Sequence, residues 1–274
     1  MTSPEPCPVV SIAVRVRRWS TSTVAAALAS ALASALTLAA CTHTIDLVPP
    51  PPRAAVTTTA GPWASMIFAA RTDSGVLLID LGWGRAAHGV RTVLRDIGAQ
   101  PEDVRWAFIT HAHRDHIAGW STVPQATFVL GRDDVPLFTG TASFRARVPR
   151  VADNVLGLGR PVGAAIGVLA VGRDTTFALG TDTLRAFVVP GHTPGSMAYL
   201  FRETLFVGDA ANRSLVGDFR GALTIYSDSV EQSRESMRSL FTRLDAAGVP
   251  WKTLCTAHGK CARVDSTLRA RVTR

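Results

Sequence analysis

The stretch Thr110-His111-Ala112-His113-Arg114-Asp115-His116 constrains this chain more than any other, because four potential metal ligands fall within six positions. Three of the seven histidines of the protein lie here. A packed core does not tolerate imidazole and carboxylate at that density without a cation or a full set of hydrogen bonds. The bland alternative is a solvated polar loop with chance histidines, and it weakens as further ligands appear downstream. His192 follows Phe187-Val188-Val189 through Pro190-Gly191, Asp209 follows Leu205-Phe206-Val207 through Gly208, and His258 follows Leu254-Cys255-Thr256 through Ala257. The cluster itself follows Phe108-Ile109-Thr110. Polar metal-binding residues at four strand ends, three of them beside a glycine, are what a site along one sheet edge requires. Glycine lets the chain turn sharply there without crowding the ions. Five histidines and two aspartates suffice for two cations. His43 and His88 stand alone and receive no role.

The elements around these positions read as strands and helices in alternation. Ala64 to Ala70 and Gly75 to Leu81 form a hairpin across Arg71-Thr72-Asp73-Ser74. Ala86 to Ile97 is a helix with Val90, Val93, Leu94 and Ile97 at helical spacing and Gly98 as its C-cap. Val104 to Thr110, Ala126 to Leu130, Thr183 to Val189, Met197 to Phe201, Thr204 to Val207 and Trp251 to Thr256 are strands. Ser229 to Ala247 is the clearest helix, with Ser229 and Gln232 as a capping box and Gly248 closing it. Between Arg132 and Arg173 periodicity fails and no element is assigned; so long an irregular stretch is usually functional or mobile. The whole is an α/β domain of layered type.

Hydrophobic residues make up 47% and charged residues 18% of the 274, which describes a globular chain with a sizeable core. The first forty residues are set apart from it. Arg15, Arg17 and Arg18 precede an uncharged Ala/Ser/Leu run from Thr21 to Ala40. That run ends Leu38-Ala39-Ala40-Cys41, which resembles a bacterial lipobox. Residues 1–40 thus read as a lipoprotein signal peptide, with Cys41 diacylated and the protein exported to the cell envelope as a membrane-anchored lipoprotein. An uncleaved membrane helix competes, since about 20 residues can span a bilayer, but alanine and serine make this run only weakly apolar. Residues 41–62, with Pro49 to Pro52 and Thr57 to Thr59, read as a Pro/Thr-rich tether, and residues 63–274 as the folded domain. Loss of residues 1–40 leaves 26 basic against 20 acidic residues. That mild excess, with no basic stripe, gives no expectation of nucleic acid. Cys255 and Cys261 remain to pair as a disulfide in an exported protein. A soft metal ligand is the competing role for one of them, disfavoured because the nitrogen and oxygen ligands are complete without sulfur.

H-x-H-x-D-H-x-x-G at His111 to Gly119, Gly191-His192-Thr193-Pro194-Gly195-Ser196, Gly208-Asp209 and Ala257-His258-Gly259 together resemble the metallo-β-lactamase superfamily of hydrolases. Leu78-Ile79-Asp80-Leu81-Gly82 resembles its early strand motif. The resemblance implies a four-layer αββα sandwich with two divalent metal ions at one edge of the sheets. It implies that His111, His113 and His192 hold one ion, that Asp115, His116 and His258 hold the other, and that Asp209 bridges them. Asp80 is then a carboxylate behind the ligands, orienting one of them.

Two cations about 3.5–4 Å apart acidify a shared water, and the hydroxide attacks an acyl-type bond such as a lactone or ester. Asp115 is expected to bind metal and to orient that nucleophile. Imidazole plus carboxylate suits zinc first, with iron or manganese next. The expected partner is a small-molecule substrate. β-Lactam hydrolysis, an iron-dependent oxidoreductase on the same fold and a non-catalytic binding lipoprotein are the competing functions. The intact ligand set argues against the last. The 16 residues after His258 leave no room for the C-terminal helical domain of glyoxalase II enzymes, and so point to the compact lactonase- or esterase-like branches. Trp83, Trp120 and the 132–173 segment are candidate pocket walls by adjacency, and Arg213, four residues after Asp209, reads as a surface residue in preference to a contact for a substrate carboxylate.

Overall fold

Strands whose side chains are buried on both faces read as unbroken apolar runs, and residues 66–70, 76–79, 128–131 and 197–201 of this chain are such runs. The computed structural model describes residues 43–46, 55–58, 65–83, 88–156, 160–161, 164–213, 219–258 and 261–274. The expected signal peptide, the lipidation position Cys41 and most of the tether lie outside the described residues. Among the described residues no helix is long and apolar enough to cross a membrane.

The first half of the chain runs β1 (His43–Asp46), β2 (Ala55–Thr58), β3 (Met66–Thr72), β4 (Gly75–Ile79), helix α1 (His88–Asp96) and β5 (Val104–Phe108). Helix α2 (Arg114–Ile117), β6 (Thr127–Gly131), helices α3 (Val135–Thr139) and α4 (Arg147–Leu156), and β7 (Gly167–Val171) follow. These seven strands form one sheet in sequence order, antiparallel up to β4 and parallel from β4 to β7. The second half adds β8 (Thr175–Leu179), β9 (Asp182–Val188), β10 (Met197–Phe201) and β11 (Thr204–Phe206). A small pair, β12 (Ala211–Arg213) and β13 (Phe219–Gly221), precedes α5 (Val230–Ala246), β14 (Thr253–Cys255), β15 (Cys261–Arg263) and α6 (Ser266–Val272). The second sheet has the order β15-β14-β11-β10-β9-β8.

The period-two alternation of strand side chains sorts the core into three layers of contact. Met66, Phe68, Leu77, Ile79 and Phe108 of the first sheet meet Leu184, Tyr199 and Phe206 of the second. On the outer face of the first sheet, Ile67, Ala69 and Leu78 pack on Val90, Val93 and Leu94 of α1. Ala198, Leu200 and Leu205 on the outer face of the second pack on Met237, Leu240, Phe241 and Leu244 of α5 and on Leu268 and Val272 of α6. The expected αββα sandwich is therefore the observed architecture. One polar bond crosses its middle: the buried Tyr199 hydroxyl donates to Ile109 O at 2.7 Å, with Val129 O at 3.1 Å. It ties the second sheet to the strand that leads into the histidine cluster.

Two stretches differ from the sequence reading. The 132–173 segment is not irregular: it holds α3, α4 and β7. These helices are only 5 and 10 residues long and each carries a proline near its start, so no long helical period builds up. Residues 41–62 include β1 and β2, which pair with each other and, through β2, with β3. Val56, Thr57 and Thr58 are β-branched and favour that extended backbone.

Candidate metal centre

Two of the strands that point at the centre, β4 and β9, are followed by an unusual backbone conformation that turns the chain inward. Asp80, just past β4, adopts a left-handed conformation at φ 56°, which aspartate tolerates better than most residues. Its Oδ1 accepts from Thr110 N at 2.8 Å, and its Oδ2 accepts from Thr110 Oγ1 at 2.7 Å and from His116 Nδ1 at 2.8 Å. Gly191 sits at φ 135°, where a Cβ would press into the backbone of Ser233 at the start of α5. That close approach lets Ser229 N and Asp228 N donate to Gly191 O and His192 O at 2.8 and 3.0 Å. The short turn before α5 is thereby held beneath His192.

The histidine tautomers follow from these partners. Thr110 Oγ1 gives its only hydrogen to Asp80, so at 3.1 Å it accepts from His111 Nδ1. Ser227 Oγ donates to Leu223 O at 2.7 Å, so at 2.9 Å it accepts from His192 Nδ1. Both rings therefore carry their proton on Nδ1 and turn bare Nε2 atoms to each other at 3.1 Å. His113 Nδ1 approaches the same His192 Nε2 at 3.0 Å. All three rings are buried. Burial first, then the neighbouring imidazoles, pushes His111 and His113 well below the usual histidine range, and burial brings His192 to about 4. Three neutral imidazoles thus converge, with the lone pairs of His111 Nε2 and His192 Nε2 facing each other, an arrangement that calls for a cation.

The other half is charged. With its Nδ1 proton given to Asp80, His116 Nε2 lies 3.6 Å from Asp115 Oδ2 and 3.9 Å from Asp209 Oδ1. His116 Nε2 and Asp209 Oδ1 are both buried without a hydrogen-bond partner. His258 Nε2 lies 3.0 Å from Asp115 Oδ2 and 3.3 Å from Asp209 Oδ2. Asp209 Oδ2 is also 3.7 Å from His192 Nε2, so its carboxylate stands between the two groups of histidines. Burial alone raises a carboxyl, but His116 and His258 outweigh it and hold Asp115 at about 2. Asp209 is held low in the same way, chiefly by His258. Burial opposes charge on His116 and His258 too, and the facing aspartates reverse it and raise both rings.

The structure brings these seven residues together, with Asp80 hydrogen-bonded behind His116. His111, His113 and His192 form one group of ligand atoms within 4.8 Å of one another. Asp115, His116 and His258 form another, and His111, His116 and Asp209 link the two. Both groups fit a divalent cation in donor type, and the orphaned atoms of His116 and Asp209 have the partner they lack if one is present.

The surroundings were less legible. Trp83 is near the site through Arg114, whose guanidinium lies 4.7 Å over its ring. Trp120 packs instead against the core beneath the first sheet. The 132–173 segment does reach the centre, where Phe144 sets its ring against His113 at 5.0 Å. The Arg213 side chain lies outside the described residues. Sequence reasoning missed Ser227, Phe144, Tyr226 and Asp134. The Tyr226 phenol is raised by burial and then by Asp115. Cys255 and Cys261 are joined in a disulfide, so neither sulfur is a ligand.

Comparison with known proteins agrees with this geometry. The family model of the metallo-beta-lactamase superfamily matches residues 60–247. YobT of Bacillus subtilis (strain 168), an uncharacterised protein, is 26% identical over 204 residues, covering 71% of this chain and 82% of its own. A hydroxyacylglutathione hydrolase of Shewanella halifaxensis (strain HAW-EB4) is 27% identical over 176 residues. That match covers 64% of this chain but only 55% of the relative, so the chain spans about half the length of that enzyme. Among solved structures, BJP-1, a subclass B3 metallo-beta-lactamase of Bradyrhizobium japonicum, superposes with a TM-score of 0.53 at 24% identity over 74% of each chain. With the family model covering more than half of the sequence and the αββα fold in place, this chain belongs to the metallo-beta-lactamase superfamily.

Proposed function

We propose that this protein is a dinuclear metal-dependent hydrolase of an acyl-type bond, a lactone or ester, acting on a small molecule. In this reading His111, His113 and His192 hold one ion, Asp115, His116 and His258 the other, and Asp209 both, with zinc the expected metal. The observation that carries it is the meeting of bare imidazole nitrogens, His111 Nε2 and His192 Nε2 at 3.1 Å, beside a buried carboxylate oxygen of Asp209 that has no donor. Two divalent ions, when bound, polarise the electrophilic oxygen and bring a water to hydroxide near neutral pH. The chain's own residues do the rest. Asp80 and Ser227 hold the tautomers of His116 and His192, directly at each ring. Asp115, kept ionised at neutral pH, accepts a hydrogen bond from the attacking water or hydroxide and aims its lone pair. The relatives named as hydroxyacylglutathione hydrolases support hydrolysis at an acyl carbon.

Metal analysis of the purified protein, followed by a panel of lactones, esters, thioesters, β-lactams and phosphodiesters, tests the reading. Two zinc equivalents are expected, with acyl hydrolysis falling about 10²–10⁴-fold in Asp115→Ala. Stoichiometric iron with oxygen consumption overturns it, and turnover of β-lactams alone moves the substrate to the competing class. The same proposal places the protein at the cell envelope, anchored through a lipidated Cys41. Palmitate labelling that disappears in Cys41→Ser supports the anchor, and an unlabelled, unprocessed chain removes it.

A further inference from the structure

Asp134 is a fully buried carboxylate that none of the metal chemistry uses. It stands at the N-cap of α3, the place where an aspartate usually caps its own helix, yet its side chain makes no capping bond there. It turns instead toward the loops of the metal centre. Oδ2 accepts from Ala112 N at 2.8 Å, between His111 and His113, and from Thr193 Oγ1 at 2.8 Å, directly after His192. Oδ1 accepts from Gly195 N at 2.7 Å, further along the same loop. Gly195 lies so close that a Cβ there would stand 2.8 Å from Asp134 Cβ and 2.9 Å from its Oδ1. Burial raises the carboxyl to about 6 in spite of these three donors, so the group is held where an apolar side chain would be less costly.

We infer that Asp134 is the positioning residue of the three-histidine half of the centre, fixing the His111–His113 loop against the His192 loop so that three imidazoles meet. The two loops come from different sheets: one leaves β5, the other leaves β9. His111 and His192 turn bare Nε2 atoms to each other, so no proton between those two rings sets their spacing. Beside the backbone bond from Met197 N to Thr110 O at 2.7 Å, the Asp134 carboxylate, with bonds to both loops, does. The charged half has its own support in Asp80, through His116, and has no bond to Asp134.

The inference rests on the dinuclear reading, and zinc titration against a competing chelator separates the two. Two equivalents bound by the unmutated chain uphold that reading whatever becomes of Asp134; fewer than two defeat it. Asp134→Asn turns one of the two acceptors into a donor facing a donor. In a His258→Ala background, which leaves the three-histidine half intact, Asp134→Asn is expected to weaken zinc about 10–100-fold. In a His192→Ala background, which leaves Asp115, His116 and His258, the same change is expected to leave zinc affinity unaltered. Equal losses in both backgrounds make Asp134 a general structural residue and overturn the inference, as does an unchanged affinity in the first. If circular dichroism shows Asp134→Asn unfolded, Thr193→Val decides on the same criterion. It removes one of the three donors, and is expected to weaken only the three-histidine half, by a smaller factor.

Discussion

At His192 the ring has given up one proton site to Ser227 and is pushed by burial to about 4, well under its usual 6.5. A folded-state value below the unfolded one means that the unfolded chain binds the proton first as pH falls. The contribution of His192 to stability is therefore complete above pH 6.5 and is lost between about 6.5 and 4, and is worth roughly 3 kcal/mol at most. His116 and His258 are raised, so they run the other way and stay charged above the same 6.5. Imidazole NMR of the metal-free protein should show His192 neutral down to about pH 4 while His116 and His258 remain protonated past 6.5. A common midpoint for the three rings refutes the burial argument. The ligand residues were legible because each is a rare polar type at the end of an apolar run. Ser227 was not, because a serine in a turn has many ordinary uses. Asp134 obeys the same grammar as Asp209, an acid soon after a strand-end glycine, and went unseen because Arg132 and Asp133 make the stretch look like a solvated turn.

Among the elements, strands buried on both faces declared themselves, and so did α5. Ser229 accepts from Gln232 N at 3.1 Å as the cap, and Met237, Leu240, Phe241 and Leu244 face the second sheet. Leu240 is wholly buried, so Leu240→Ala is expected to cost about 2–5 kcal/mol in denaturant unfolding. A loss under 1 kcal/mol would mean that α5 is not packed on the sheet as described. Because the turn into α5 also holds Ser227 under His192, zinc affinity should fall with stability in this variant. Helices α3 and α4 escaped the sequence reading for a local reason. Each carries a proline near its start, α3 has only five residues, and their positions are set by contacts such as Asp228 Oδ1 with Ala146 N at 3.0 Å, from 82 residues away. Strand β8 was missed because its alternate residues Thr176 and Ala178 are exposed and leave no continuous apolar run.

For the molecule as a whole, the centre is where the two sheets are joined by polar chemistry, since β4 and β5 supply one side and β9, β11 and β14 the other. Binding of metal to the native state alone stabilises it by mass action, about 4 kcal/mol for each ion when free metal exceeds Kd roughly 1,000-fold. For a domain of this size that corresponds to about 8–16 °C in Tm. Chelation should lower Tm by at least that amount and zinc should restore it; a Tm indifferent to chelator contradicts a metal bound across both sheets. The disulfide bears on the same assembly. Cys255 and Cys261 are direct partners in the β14–β15 ladder, and His258 stands in the loop between them. Hydrogen bonding alone already brings the two sulfurs face to face, so oxidation makes permanent a hairpin that folding has chosen. The last ligand in the chain therefore sits on a covalently closed loop, and reduction would leave that loop to be held by its ladder bonds alone.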